Sequence, residues 1–260
     1  MTYALVSGAT GVLGKEFCFQ LAKQGKNLFL TGRNEDKLIA LKNSLTAEYP
    51  AINAVFCACD LSCDGQVKNL LSVASNYTFD TLINAAGADI QKPFDEYSVD
   101  KVIFQIRATF ESSAVLTSFV LGHRAESLKI LNISSVCALR PMPYFALYAA
   151  SKSAQNYLSV ALSHELKREG VTVTSVLPGS IRTREDIKEY IDSLGYFARR
   201  AAKSPQWVVQ KSLKALNRGR RKVILGAANK FLAFILLFVP KSLQYKFIAR
   251  KWRKTRKDAF

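Results

Sequence analysis

Ser7-Gly8-Ala9-Thr10-Gly11-Val12-Leu13-Gly14 decides the fold of this 260-residue chain. The run before it, Tyr3–Ser7, is apolar and strand-like. The stretch after it, Gly14–Gln24, has helix length. Glycines at 8, 11 and 14 permit a tight strand-to-helix turn and close approach of backbone to an anion, with the helix N-terminus facing the charge. A glycine trio is weak by itself; at the first strand–helix turn of an alternating chain it gains weight.

The chain does alternate. Strands are expected at Tyr3–Ser7, Asn27–Thr31, Ala54–Cys59, Thr81–Asn84, Lys129–Ser134, Val171–Leu177 and Lys222–Leu225. Several are β-branched or leucine-rich without polar alternation, as strands buried on both faces should be. Helices are expected at Gly14–Gln24, Asn34–Glu48 and Ser151–Arg168, with Gly25 and Gly170 as C-terminal stops. Strand–helix–strand repetition implies a doubly wound parallel sheet, a Rossmann fold of about seven strands. The expected division is an oxidoreductase domain over 1–226 and a basic, apolar helical extension over 227–260.

Composition fits this. Hydrophobic residues are 49% and charged residues 22%, ordinary for a globular protein, so a folded chain with a sizeable core is expected. The N-terminus enters a strand directly, so no secretory leader is expected. Five cysteines, an odd number, then read as reduced thiols in a cytoplasmic protein. Cys57, Cys59 and Cys63 lie close together, but without paired C-x-x-C spacing or a nearby His. His123 and His164 stand alone, so no metal is expected.

Beyond the second strand stands Arg33, about 20 residues past the glycine loop. An acid there would accept the ribose 2′-OH of NAD; a guanidinium suits the 2′-phosphate of NADP. Glu35 and Asp36 favour the start of the following helix. NADP(H) is therefore expected over NAD(H), against the plainer reading of Arg33 as a solvated surface residue. Asp60-Leu61 and Asn84-Ala85-Ala86-Gly87 end the third and fourth strands, where open α/β sheets bind ligands.

Ser135 closes the fifth strand, and Tyr148 and Lys152 follow four residues apart, on one helix face. An ammonium beside a phenol is expected to lower its pKa from about 10 toward neutrality. Such a phenol exchanges a proton with a carbonyl or alcohol oxygen, with Ser135 hydrogen-bonding the same atom.

With Pro178-Gly179-Ser180-Ile181-Arg182-Thr183, these motifs make residues 2–185 resemble the short-chain dehydrogenase/reductase family. The resemblance implies catalysis by Ser135, Tyr148 and Lys152. It implies cofactor contacts from Gly8, Thr10, Gly11, Val12, Leu13, Gly14, Arg33, Asp60, Leu61, Asn84, Ala85 and Gly87. Asp60 would meet the adenine and Lys152 the nicotinamide ribose. Pro178, Gly179, Ile181 and Thr183 would border the nicotinamide. It also implies a dimer or tetramer paired through the helix bearing Tyr148 and Lys152. Two features depart from the pattern. Val12 stands where the single-domain branch places its middle glycine. Gln105 stands where an Asn often supports a proton relay. The substrate wall is expected from Met142, Tyr144, Phe145 and the segment 184–204, including Tyr196 and Phe197.

The net charge of +17 lies in the tail: residues 1–198 are neutral overall, whereas 199–260 hold 18 Lys+Arg and one acid. Phe231–Val239 is continuously apolar but too short to cross a bilayer as a helix. After Pro240, Leu243, Phe247, Ile248 and Trp252 fall near one helical face among cations. An anionic membrane surface is the favoured partner. Subunit packing comes second and nucleic acid third, because no nucleic-acid module is present. Function is read as hydride transfer between nicotinamide and the carbonyl or hydroxyl of a lipophilic substrate. The alternative is a membrane-docked NADP-binding sensor with little catalysis.

Overall fold

The first strand shows why the strands lack polar alternation. In β1 (Thr2–Ser7), Ala4 and Val6 enter one apolar core, while Tyr3 and Leu5 enter a second on the opposite face. The computed structural model describes residues 1–182 and 202–253. Within these, β2 (Asn27–Gly32), β3 (Ala54–Ala58), β4 (Thr78–Asn84), β5 (Arg124–Ile133), β6 (Val171–Leu177) and β7 (Lys222–Ile224) join β1 in one parallel sheet ordered β3-β2-β1-β4-β5-β6-β7.

Helices cover both faces. One core takes Phe17 and Leu21 of α1 (Val12–Ala22), Leu38, Leu41 and Leu45 of α2 (Glu35–Glu48), and Val209 and Leu213 of α7 (Pro205–Asn217). The other takes Leu70 and Ala74 of α3 (Asp64–Ala74) and Leu116 and Val120 of α5 (Ser112–Gly122). Between them in sequence lie α4 (Val99–Ile106) and α6 (Ala146–Glu165). Strand order reverses between β1 and β4, which opens a crevice at their carboxyl ends.

The expected strands are all present, with shifted ends. β5 begins at Arg124, five residues early, and β4 at Thr78. The larger difference is α6, which starts at Ala146 rather than Ser151. Its N-cap, Phe145, makes no side-chain capping bond, so no start signal is written in the sequence. The earlier start places Tyr148 in the first turn. Gly25 and Gly170 have φ of 75° and 73°, as expected of helix stops.

The tail forms α8 (Ala227–Ile235) and α9 (Lys241–Trp252), broken at Pro240. Among the described residues no helix is long and apolar enough to cross a membrane. None of their His, Cys, Asp and Glu side chains group as a metal site, and the five cysteines are free.

Candidate active site

The glycine loop sits in the β1–β4 crevice. Gly8 has φ of 66°, and a Cβ there would lie 2.8 Å from Ala86 N and Cα. A Cβ on Gly14 would collide with the Gly8 carbonyl oxygen. Both positions therefore require glycine, the first for the turn and the approach of the next loop, the second for helix–strand packing. Gly11 caps α1 without a side-chain acceptor, and the first turn contains no acid. Its N–H groups are thus suited to a phosphate. Thr10 packs beside Gly32, where a Cβ would lie 3.1 Å from Thr10 Oγ1. Val12 is exposed, and Leu13 packs against the core. Arg33 is exposed just past β2, its guanidinium 5.8 Å from the Phe104 ring centre. Asp60 Oδ1 accepts from Ser62 N and Oγ at 2.9 and 2.6 Å, shaping the turn after β3; Leu61 is buried.

Sheet register builds the floor. Ser7, Asn84, Asn132 and Ser175 pair side by side across β1, β4, β5 and β6. Asn84 Nδ2 donates to Asn132 Oδ1 at 2.7 Å, and Asn132 Nδ2 donates to Ser159 Oγ of α6 at 2.8 Å. Ser175 Oγ donates to Asn156 Oδ1 at 2.9 Å. This buried polar row ties the sheet to the helix carrying Tyr148 and Lys152. It also commits the Asn84 amide to the row. Ala85 packs on the core, and a Cβ on Gly87 would lie 3.3 Å from Lys152 Nζ. Gly87 thus lets the loop after β4 close over the lysine.

Ser135 accepts from Cys137 N at 3.2 Å. Phe145 stacks on Tyr148 with centroids 4.3 Å apart and rings 5° from parallel. Lys152 Nζ donates to Ile133 O at 2.6 Å and to Gln155 Oε1 at 3.3 Å, and lies 6.0 Å from the Tyr148 ring centre. The expected fall in the phenol pKa does not occur. Burial pushes Tyr148 well above its usual 10, with the carboxylate of Asp89 acting in the same direction and Ser135 opposing. Burial lowers Lys152 itself to about 8, Asp89 partly opposing.

Gln105 lies against the loop after β4. It is fully buried, donates to Ala88 O at 2.9 Å and accepts from Ile90 N at 3.3 Å. Its amide pins the 88–90 loop. A π-helical turn, Arg107–Glu111, follows directly. Thr109, in that turn, accepts from Ala88 N at 3.1 Å. Thr109, Asn132, Asn156 and Gln155 carried no sequence signal, since contacts between separate elements bring each to the site.

Pro178 accepts from Val136 N at 3.0 Å, which seats the turn after β6 against the Ser135 loop. Gly179 admits Asn229 of α8, whose amide a Cβ would strike. Ile181 packs on the core and bridges to Lys203. Thr183, Tyr196 and Phe197 lie outside the described residues, as does most of 184–204. On the substrate side, Tyr144 has φ of 63°, and Phe145 faces Trp252 of α9 at 6.1 Å.

The arrangement is a doubly wound fold with a glycine loop at its switch point and a serine, tyrosine and lysine beside it. The short chain dehydrogenase family model matches residues 2–192, and the chain belongs to that family. The chain is 34% identical over 186 residues to a very-long-chain 3-oxoacyl-CoA reductase of Kluyveromyces lactis, covering 67% of this chain and 54% of the relative. It therefore spans little more than half of that relative's length. In structure it is similar to a short-chain dehydrogenase from Sphingobium yanoikuyae in complex with NADPH, with a TM-score of 0.77, 20% identity and 100% of each chain covered. A structure of 7beta-hydroxysteroid dehydrogenase gives a TM-score of 0.82 at 20% identity over 95% of this chain and 96% of the other. At such identity these two speak for the fold.

Proposed function

We propose that this chain is an NADP-dependent short-chain oxidoreductase that reduces the carbonyl of a lipophilic substrate. The observation that carries the proposal is Tyr148 with Lys152 Nζ 6.0 Å from its ring centre, next to the glycine-loop crevice; burial favours its protonated phenol. A protonated phenol is the donor form that reduction needs. When bound, NADPH supplies the hydride. Tyr148 gives its proton to the carbonyl oxygen, while Ser135 holds that oxygen by hydrogen bonding. Lys152, beneath Gly87, steadies the ribose side and offsets charge left on the phenolate. Arg33 takes the 2′-phosphate, and the uncapped first turn of α1 takes the pyrophosphate.

Two features support a lipophilic carbonyl: the reductase relatives, named for long acyl substrates, and a wall containing Phe145 and Trp252. The same proposal puts the enzyme on a membrane surface through α8 and α9, where Phe231, Leu237, Phe238 and Phe247 are exposed. It pairs subunits through α4 and α6, where Val99, Ile103 and Tyr157 are exposed. The sensor reading is set aside, because the family match is to dehydrogenases and the relatives are named as reductases.

Loss of NADPH absorbance with a long-chain 3-oxoacyl thioester tests the proposal. Tyr148→Phe should lower turnover by about 10³-fold while NADPH still binds. Equal turnover by Tyr148→Phe overturns the mechanism. Arg33→Asp should erode the preference for NADPH over NADH; an unchanged preference removes Arg33 from the cofactor argument.

A further inference from the structure

A second site lies away from the catalytic crevice, at the β7 edge of the sheet. A groove of about 750 Å³ runs between α7, β7 and the start of α8. Among the described residues Lys211, Lys214, Arg218, Arg220, Lys222 and Lys230 line it, with Trp207 and a strip of apolar residues, and no acid. From Ala202 to Arg253 the chain carries thirteen Lys and Arg and no Asp or Glu. So many like charges repel one another, and a folded surface retains them at that cost when an anion offsets it. Trp207 sits among cations, with Lys203 and Lys211 ammoniums 5.5 and 5.8 Å from its ring centre.

The neighbourhood identifies the anion. Lys230 lines the groove, and the next residue opens an exposed apolar block: Phe231, Leu232, Phe234, Ile235, Leu237 and Phe238. A soluble phosphate has no use for such a block. A bilayer uses both, phosphates against the cations and acyl boundary against the phenylalanines, with Trp207 at the level tryptophan favours. We propose that the α7–β7–α8 groove binds the phosphate headgroups of anionic phospholipid in a bilayer. This rests on the membrane part of the proposed function and deepens it, since it assigns headgroup binding to a groove outside the catalytic crevice that runs from α7 and β7 into the start of α8. With several basic residues each adding about 1 kcal/mol near an anionic surface, the groove governs headgroup choice and α8 governs insertion.

The test is sedimentation of the full chain with vesicles of phosphatidylcholine alone or with phosphatidylglycerol. It needs neither substrate nor turnover, so its failure is separable from failure of the reductase reading. The wild type should prefer phosphatidylglycerol vesicles, less so at high salt. Lys211→Glu/Arg218→Glu/Lys222→Glu should bind them at least about tenfold more weakly. Its NADPH affinity should match the wild type and so report an intact fold. Phe231→Ser/Phe234→Ser/Phe238→Ser should lose binding to both vesicles. Binding by the groove variant equal to wild type overturns the proposal. So does groove-dependent binding of inorganic pyrophosphate or of a random oligonucleotide in place of vesicles.

Discussion

Lys152 is a cation held in a place unfavourable to charge. Burial lowers it from 10.5 to about 8, so its charge costs stability at neutral pH. Below pH 8 it is protonated in both folded and unfolded states, and the full penalty applies. Between about 8 and 10.5 the folded state sheds the proton first, and the penalty fades. The shift corresponds to about 3 kcal/mol. In urea unfolding the stability of wild type relative to Lys152→Met should therefore rise by about 3 kcal/mol between pH 7 and pH 10. A constant difference across that range would show that charge burial is not the cause. Catalysis inverts the sign: reduction should fall as pH rises through 8, on the limb that Lys152 sets, because Tyr148 stays protonated beyond it. The trio itself was legible, because Ser135, Tyr148 and Lys152 are spaced along one strand end and one helix. The protonation of Tyr148 was not: whether Lys152 faces the phenol or Ile133 O depends on packing that no spacing encodes.

At the scale of elements, the loop after β4 depends on a helix that reaches over it. Gln105 satisfies Ala88 O and Ile90 N, and Thr109 satisfies Ala88 N, all at the join of α4 and the π-helical turn. Gln105→Ala should leave two buried backbone groups unpaired and cost about 3 kcal/mol, read as a lower urea midpoint. Gln105→Glu keeps the acceptor but loses the donor, and should fall between. If the alanine variant is as stable as wild type, the loop is held by other means. The strand–helix alternation that placed these elements was plain in the sequence, since buried strands and helix stops are local signals. The π turn was not, since Arg107–Glu111 contains no glycine or proline to mark it. Likewise the row Ser7–Asn84–Asn132–Ser175 arises from register between strands distant in sequence.

Over the whole molecule, a neutral body carries a strongly basic tail that folds back onto the active-site wall. Gln244 holds that return. Its Nε2 donates to Leu236 O and Val239 O at 2.7 and 2.8 Å, closing the bend between α8 and α9. Its Oε1 accepts from Arg140 Nη1 at 3.1 Å, fixing the bend to the loop after Ser135. Farther along α9, Trp252 faces Phe145, which stacks on Tyr148. The tail is thereby linked mechanically to the phenol. Gln244→Ala removes three hydrogen bonds, worth about 1 kcal/mol each, at a point with few other ties. Amide exchange in 227–252 should speed up by about tenfold or more, while the sheet keeps its protection. The KM for a long-chain carbonyl should rise several-fold, with kcat for a small ketone near wild type, because the variant alters the wall and leaves Ser135, Tyr148 and Lys152 in place. Faster exchange without a change in KM would separate the tail from the substrate, leaving α8 and α9 a docking element alone.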